Sequence, residues 1–539
     1  MSIPLEPYNL YTSDPVLRRS VEREGAGQAN SALETFGERV GSAEVSEWGF
    51  QANRHSPELV THDRFGERVD EVRYHPSYHR LMDLSVGAGL HASHYDGQPG
   101  DGSYVARTAQ MHMISQIEVG HGCPVSMTGA VLPALREQPD LAAVWEPRVR
   151  TRSYDPRLVD PAAKSGNLLG MGLTEKQGGS DVRANTSEAV AVNRGGPGGE
   201  YRLTGHKWFT SAPMCDAFLM LAQAPGGISC FLVPRILPDG ARNSLHLMRL
   251  KDKLGNRSNA SSELEYADAA GWLVGEEGRG INVILKMVNA TRVDVTNWSA
   301  SLMRQAVSQA AWHVSQREAF GDLLIDKPLM QNVLADLELE TEVGTMMVMR
   351  LAGAYERASI NEYDAAFLRL SSAVAKYWLS KRSTPVVREA LECVGGNGYV
   401  EESIMPRLYR EAPLNAIWEG AGNVIALDVL RALQRAPESG QAFLDELELA
   451  RGADRVYDAE LDQLRQLVTS PNLAERDARR LVERLAVCWG ASLCLRHEPS
   501  IADAYVRSRL DGDWGTEFGT LGSHVDVDLI ARRAIPNPK

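Results

Sequence analysis

Cysteine is scarce in this chain of 539 residues: six thiols stand at Cys123, Cys215, Cys230, Cys393, Cys488 and Cys494, and no two are spaced as Cys-x-x-Cys. That spacing excludes a zinc ribbon and offers no disulfide framework, so a reducing, cytoplasmic setting is expected. Long apolar runs are missing as well. The longest, Leu485 to Leu495, covers eleven residues, whereas a membrane-crossing helix needs about twenty. The opening Met1-Ser-Ile-Pro-Leu-Glu-Pro-Tyr8 has no basic stretch followed by an apolar core, so no secretory signal is expected. Net positive charge is absent too: 57 Lys and Arg against 70 Asp and Glu give −13, which excludes a diffuse basic surface for nucleic acid. Internal repeats, a Rossmann glycine fingerprint, a P-loop, a helix-turn-helix and a zinc finger are all lacking. His75 and His79 invite a metal reading, but Pro76 between them argues against two ligands on one helical turn; a packing or interface role is expected and no metal site is predicted.

What is present is an ordinary globular composition, 43% hydrophobic and 24% charged, in a chain long enough for three or four domains of roughly 100–200 residues. The periodicity changes along it. Residues 1–166 open with a polar arm and turn helical, as in Val105 to Val119, where Ala109, His112, Met113 and Ile117 keep helical spacing; Pro156, Pro161 and Gly166 mark the exit. Residues 167–275 switch to period two in Ala189-Val-Ala-Val, Tyr201-Arg-Leu-Thr, Ala217-Phe-Leu-Met-Leu, Cys230-Phe-Leu-Val and Ser262-Glu-Leu-Glu-Tyr, which predicts strands. Residues 276–435 return to long helices near 281–319, 328–358, 362–394 and 422–435, with apolar stripes suited to a bundle. Residues 436–539 add further helices, including Leu473 to Leu495. The fold class is mainly α with an inserted β domain.

Four motifs carry chemistry. Glu419 stands between Trp418 and Gly420 in Asn415-Ala-Ile-Trp-Glu-Gly-Ala-Gly-Asn423, where a carboxylate beside an aromatic ring is a candidate base, though a Glu before Gly also ends many solvated helices. In Gly170-Met-Gly-Leu-Thr-Glu-Lys-Gln-Gly-Gly-Ser-Asp181, Gly179 allows close approach to a ligand while Thr174 and Ser180 offer donors; a plain Gly/Ser turn reads equally well locally. Gly205-His-Lys-Trp-Phe-Thr-Ser211 presents Trp208, Phe209, Thr210 and Ser211 at a strand end, as a water-excluding aromatic wall or as core. Arg317 and Phe320 in Gln316-Arg-Glu-Ala-Phe-Gly321, and Gly395 and Gly396 in Cys393-Val-Gly-Gly-Asn-Gly398, complete the set; Arg317 suits a phosphate but is also an ordinary helix charge.

In this order the motifs resemble those of the acyl-CoA dehydrogenase family across about residues 165–435. The resemblance implies a helical N-terminal domain with an oligomerisation arm, a β-barrel-like middle domain and a C-terminal helical bundle. It also implies FAD and a homotetramer built as a dimer of dimers. Glu419 would take the substrate's α-proton. Thr174, Gly179, Ser180, Trp208, Phe209, Thr210, Ser211 and Asn423 would bind FAD, with Arg317, Phe320, Gly395 and Gly396 reaching a neighbouring subunit's cofactor. Arg292 and Trp418 would lie near an acyl-CoA or other small substrate, although Asn289 stands where an acidic residue is common. Lys176-Gln177 replaces the family's Pro-Gly, which points to a subgroup. Tyr8-Asn-Leu-Tyr-Thr-Ser-Asp14, Val72-Arg-Tyr-His-Pro-Ser-Tyr-His79 and Leu250-Lys-Asp-Lys-Leu-Gly-Asn-Arg-Ser-Asn-Ala260 resemble a branch tied to the bacterial response to DNA alkylation. That branch implies protection of DNA, by binding double-stranded DNA without sequence preference or by destroying alkylating agents; the alternative is metabolic oxidation of an unusual acyl-CoA without DNA. Residues 440–539 hold 13 basic and 17 acidic residues, against the basic balance that phosphate binding favours. Arg476, Arg480 and Arg484, with Arg479 beside them, form the one basic stripe offered for DNA.

Overall fold

The computed structural model describes residues 3–470 and 474–537, which group into two compact units. One holds residues 47–96 and 118–291; the other holds the N-terminal 46 residues, 97–117 and 292–539. The division cuts across the four sequence regions, and residues 276–291 of the bundle region fall in the first unit. Residues of the N-terminal region are shared between the units, and the C-terminal hundred residues belong to the same unit as the bundle, because buried ion pairs and a common aromatic core join them.

The first unit is built on strands. β1 (Glu58–His62) and β2 (Arg68–Arg73) form an antiparallel hairpin. β3 (Leu169–Gly172), β4 (Glu188–Ala191), β5 (Glu200–Thr210), β6 (Ala217–Ala224), β7 (Gly227–Pro234), β8 (Leu245–Leu250) and β9 (Ser262–Val274) make one sheet in the order β3-β6-β4-β5-β9-β7, with β8 on β9. β6 and β7 also pair with each other, so five strands close into a ring. The strands predicted from period two all form. The β1–β2 hairpin lies in the region expected to be helical: Asp63 accepts from the Phe65 and Glu67 amides, and Gly66 takes φ 86°, which together turn the chain back. Pro76 does not interrupt a helix. It begins one, Pro76–Gly87, at the first helical position, and His75 caps it by accepting from the Ser77 amide, while His79 bonds the Tyr154 hydroxyl at 2.8 Å.

The second unit is helical. Pro328–Arg357, Glu362–Cys393, Gly422–Arg435 and, from residue 292 onward, Gly280–Gln316 are the long predicted helices, with Pro328 and the Asn361 cap opening two of them. Of the predicted Leu473 to Leu495 segment, Leu473 lies outside the described residues and Ala478–His497 is helical. The N-terminal arm packs on the Gly280–Gln316 helix: Tyr8 donates to Gln305 at 2.7 Å, Trp312 donates to the Ile3 carbonyl at 2.9 Å, and Tyr11 is buried. All six cysteines are buried, and among the described residues no helix is long and apolar enough to cross a membrane.

The centre of this unit is acidic. Asp336, Glu338, Glu340 and Glu342 on the Pro328–Arg357 helix are each at most 3% exposed. The i, i+4 spacing puts Asp336 and Glu340 on one face and Glu338 and Glu342 on the other. Arg509 from the Pro499–Arg509 helix serves the first pair, with Arg382 adding to Glu340 at 3.0 Å. Arg304 reaches Glu338 at 3.1 Å, and Arg533 grips Glu342 at 2.6 and 2.8 Å. Burial pushes the Glu338 and Glu342 carboxyls up; at Glu340 burial is overcome by Arg382 and Arg509, and the value falls. Phe367, Phe443 and Trp489 pack at 5.5–5.8 Å between ring centres and join the bundle to the C-terminal helices. Removing one partner of a buried pair costs about 3–5 kcal/mol, against ~0–1 kcal/mol for a surface pair such as Arg388–Glu517. Arg509→Leu is therefore expected to lower the stability read by urea unfolding by about 3–5 kcal/mol and to expose the C-terminal helices to limited proteolysis, while Arg388→Ala changes neither.

Candidate active site

The strand unit carries two of the predicted motifs, and it joins them directly. β5 slips its register against β9 between Lys207 and Thr210, so Trp208 and Phe209 leave that ladder. They pair instead with the glycine-rich loop: the Trp208 amide donates to the Thr174 carbonyl at 2.8 Å, and Thr174 bridges Phe209. A side chain on Gly179 would come within 2.5 Å of the Thr174 hydroxyl, so glycine is what lets the loop close there. Ser180 lies exposed beside it, and Ser211 follows Thr210 at the strand end. The Thr210 hydroxyl is fully buried and has no hydrogen-bond partner among the described residues. A Cβ on Gly172 would sit 2.8 Å from it, so glycine there leaves the hydroxyl room. A buried, unsatisfied donor at the rim of a glycine-rich loop fits a polar ligand atom brought to it. Trp208 is covered on one face by the Lys251 ammonium, 3.3 Å from its ring centre, and Phe209 is 46% exposed.

Sequence reasoning passed over the residue that fixes this loop. Glu175 is buried and accepts from Lys207 at 2.6 Å, from the Ser187 hydroxyl at 2.6 Å, and from the amide and hydroxyl of Thr186. Burial works against its charge, but the Lys207, Ser187 and Thr186 donors outweigh burial and hold the carboxyl at about 2. Gln177, in the Lys176-Gln177 departure, ties the loop to Asn185 at 2.9 Å. The available signal is the alternation of Tyr201 and Leu203 with Arg202 and Thr204, which carried onward puts Lys207 on an inward strand position.

In the helical unit, Glu419 holds φ 53° and Gly420 φ 103°, an uncommon left-handed pair for which Glu bears a strain glycine does not. Trp418 donates to Asn415 at 3.1 Å and meets Trp298 at 5.5 Å between ring centres. Lys376, buried at 1% exposure within the Glu362–Cys393 helix, donates to the Gly420 carbonyl. Arg292 is spoken for by Asp428 at 2.9 Å, which Arg369 also holds at 3.0 Å. Asn423 is exposed in the first turn of Gly422–Arg435. Arg317 is exposed, and Phe320, at φ 54° in a two-residue hairpin turn with Gly321, is 95% exposed. Gly395 and Gly396 are exposed in a 3₁₀ turn with open space where side chains would stand.

The basic stripe is not a single row. Arg476 precedes the Ala478–His497 helix, beside Asp477, and is 88% exposed. Arg484 is paired to Glu460 at 2.7 and 2.8 Å, and Arg479 donates to the Tyr377 hydroxyl at 3.0 Å. Arg480 remains exposed. One further cluster has the outline of a hydrolytic relay: Ser85 Oγ lies 2.9 Å from His121 Nε2, and His121 Nδ1 lies 2.8 Å from Glu118. All three are buried in the core and serve as a satisfied buried network.

Family models match the chain in three stretches: the adaptive response protein AidB N-terminal domain over residues 1–156, the acyl-CoA dehydrogenase middle domain over 170–269, and the acyl-CoA dehydrogenase C-terminal domain over 278–434. AidB of Escherichia coli (strain K12) is 43% identical over 532 residues, covering 98% of this chain and 96% of the relative. Acyl-CoA dehydrogenase family member 11 of Caenorhabditis elegans is 32% identical over 485 residues, 86% of this chain and 77% of the relative. The crystal structure of Caenorhabditis elegans ACDH-11 in complex with C11-CoA is similar with a TM-score of 0.84 at 26% identity, over 100% of this chain and 93% of that one.

Glu175→Gln is expected to cost about 3–5 kcal/mol in urea unfolding, because it leaves the Lys207 ammonium buried without its counter-charge. The sign of the pH dependence follows from the depressed carboxyl: its contribution is complete above the ordinary 4.5 and is lost as pH falls toward about 2. The stability difference between native protein and variant should shrink across that window.

Proposed function

The chain belongs to the acyl-CoA dehydrogenase family, in its AidB group, and from that membership we propose that it is a FAD-dependent oxidoreductase of the bacterial response to DNA alkylation, with Glu419 as the base that removes a substrate α-proton. The observation that carries this reading is the Glu419–Gly420 turn, where the glutamate holds a strained backbone conformation directly after Trp418, whose ring meets Trp298. Thr174, Gly179, Ser180, Trp208, Phe209, Thr210 and Ser211 in the strand unit would hold FAD, and the buried unpartnered Thr210 hydroxyl supports that assignment. Arg317, Phe320, Gly395, Gly396 and Asn423 complete the binding set in the helical unit. When bound, FAD supplies the acceptor for the hydride that leaves the β-carbon.

The chain's own residues do the rest. The Glu419 carboxylate takes the α-proton, and its backbone amide donates to the thioester carbonyl, stabilising charge as it develops there. Trp418, backed by Trp298, keeps water from the carboxylate. Arg292, buried and paired to Asp428, acts on this region as a fixed charge rather than as a free hand for the CoA moiety. A Phe at 95% exposure on the 318–323 hairpin supports a homotetramer in which Arg317 and Phe320 reach a neighbouring subunit's cofactor. The substrate class is an acyl-CoA or a small electrophile with an acidic C–H. Protection by flavin chemistry uses the intact Glu419 turn. Protection by contact with double-stranded DNA rests on Arg476 and Arg480, since Arg484 and Arg479 are occupied within the chain.

Glu419→Gln should leave the protein yellow and abolish flavin bleaching by an acyl-CoA such as undecanoyl-CoA under anaerobic mixing; bleaching at the native rate sinks Glu419 as the base. For DNA, a non-specific duplex titrated across a salt series should show affinity falling steeply with salt. The pair Arg476→Glu and Arg480→Glu should weaken binding more than Arg484→Glu, and equal affinities would remove the stripe from DNA contact.

A further inference from the structure

Lys376 is an ammonium buried against the Glu419 turn, and neither the motif pattern nor the comparisons assign it a role. It sits in mid-helix at 1% exposure, with its Nζ bonded to the carbonyl of Gly420, the residue that follows the base. Burying an ammonium is costly. Its surroundings offset little of that cost. Arg292 from the Gly280–Gln316 helix and Lys381 on its own helix repel it, and Glu419 attracts it; Arg292 is in turn committed to Asp428, which also holds Arg369, and Lys381 is crowded by Arg479. Burial leads these effects and brings Lys376 down to about 7.

We propose that Lys376 is the positioning residue of the Glu419 base: bound to the Gly420 carbonyl, its ammonium anchors the Gly420–Ala421 peptide at the end of the left-handed Glu419–Gly420 turn and supplies the cation beside which the carboxylate stays ionised. The inference rests on the reading of Glu419 as base. An ammonium set among other cations gains little for the fold, whereas its charge beside Glu419 favours the ionised carboxylate. The arrangement also makes the base sensitive to pH near neutrality, because the charge beside it is present below about 7 and fades above.

The test uses the flavin-loaded full chain with Lys376→Met, which removes charge and donor, and Lys376→Gln, which keeps a donor for the Gly420 carbonyl without charge. The readout is the pH at which the Glu419 carboxyl protonates, taken from the infrared carboxyl band that Glu419→Gln eliminates. Both variants are expected to raise that midpoint by at least tenfold in proton affinity, with flavin content unchanged and the acid limb of the flavin-bleaching profile with undecanoyl-CoA moving in parallel. An unmoved midpoint in folded variants overturns the proposal. So does failure of both variants to fold, which would make Lys376 a prop of the bundle. Native bleaching by Glu419→Gln would instead sink the base assignment, while the infrared titration would still report whether Lys376 and Glu419 are coupled.

Discussion

The helical unit depends on a helix that carries four carboxylates into the core. Asp336, Glu338, Glu340 and Glu342 cannot be buried alone, since an unpaired charge in the interior costs far more than any single apolar contact returns. They are matched by arginines from four other helices, two of which lie beyond residue 498. The C-terminal hundred residues are thus structural counter-ions for the bundle. Their slightly acidic total conceals that Arg509 and Arg533 are spent inward.

The same constraint reaches the candidate base. Arg382, on the Glu362–Cys393 helix, is held to Glu340, and Phe367 on that helix packs into the shared aromatic core. Lys376 lies between them, so its height beneath Gly420 is set by contacts at both ends of its helix. A rigid helix offering one buried ammonium to a strained turn places the costs where chemistry needs them. Glu419 at positive φ, Lys376 in a low-dielectric site and Thr210 with an unpartnered hydroxyl are each unfavourable by themselves; they are sustained by a well-matched surrounding core.

Much of this was legible in advance. Period-two segments became β4, β5, β6, β7 and β9, and the four long helices formed close to their expected limits, because apolar periodicity directly encodes which face is buried. The glycine-rich loop and the Trp-Phe-Thr segment were recognised as motifs. Their joining was not, since it depends on a register slip between Lys207 and Thr210 that no local pattern announces. The β1–β2 hairpin was missed because its strands are polar and short, and the arginine stripe was read as one face although its first member precedes the helix.

By itself the sequence determined the order of helical and strand regions, the glutamate in its aromatic and glycine context, and the glycines that let loops close. Those are local properties, set by side-chain volume, backbone freedom and spacing. Only the tertiary structure decided which charges neutralise one another: that Glu175 meets Lys207, that Arg484 is consumed by Glu460, and that Lys376 stands under Gly420. The reason is physical. A charge acts across space, through burial and distance, and residues 44 positions apart in the chain, as Lys376 and Gly420 are, become partners only when the core brings them together.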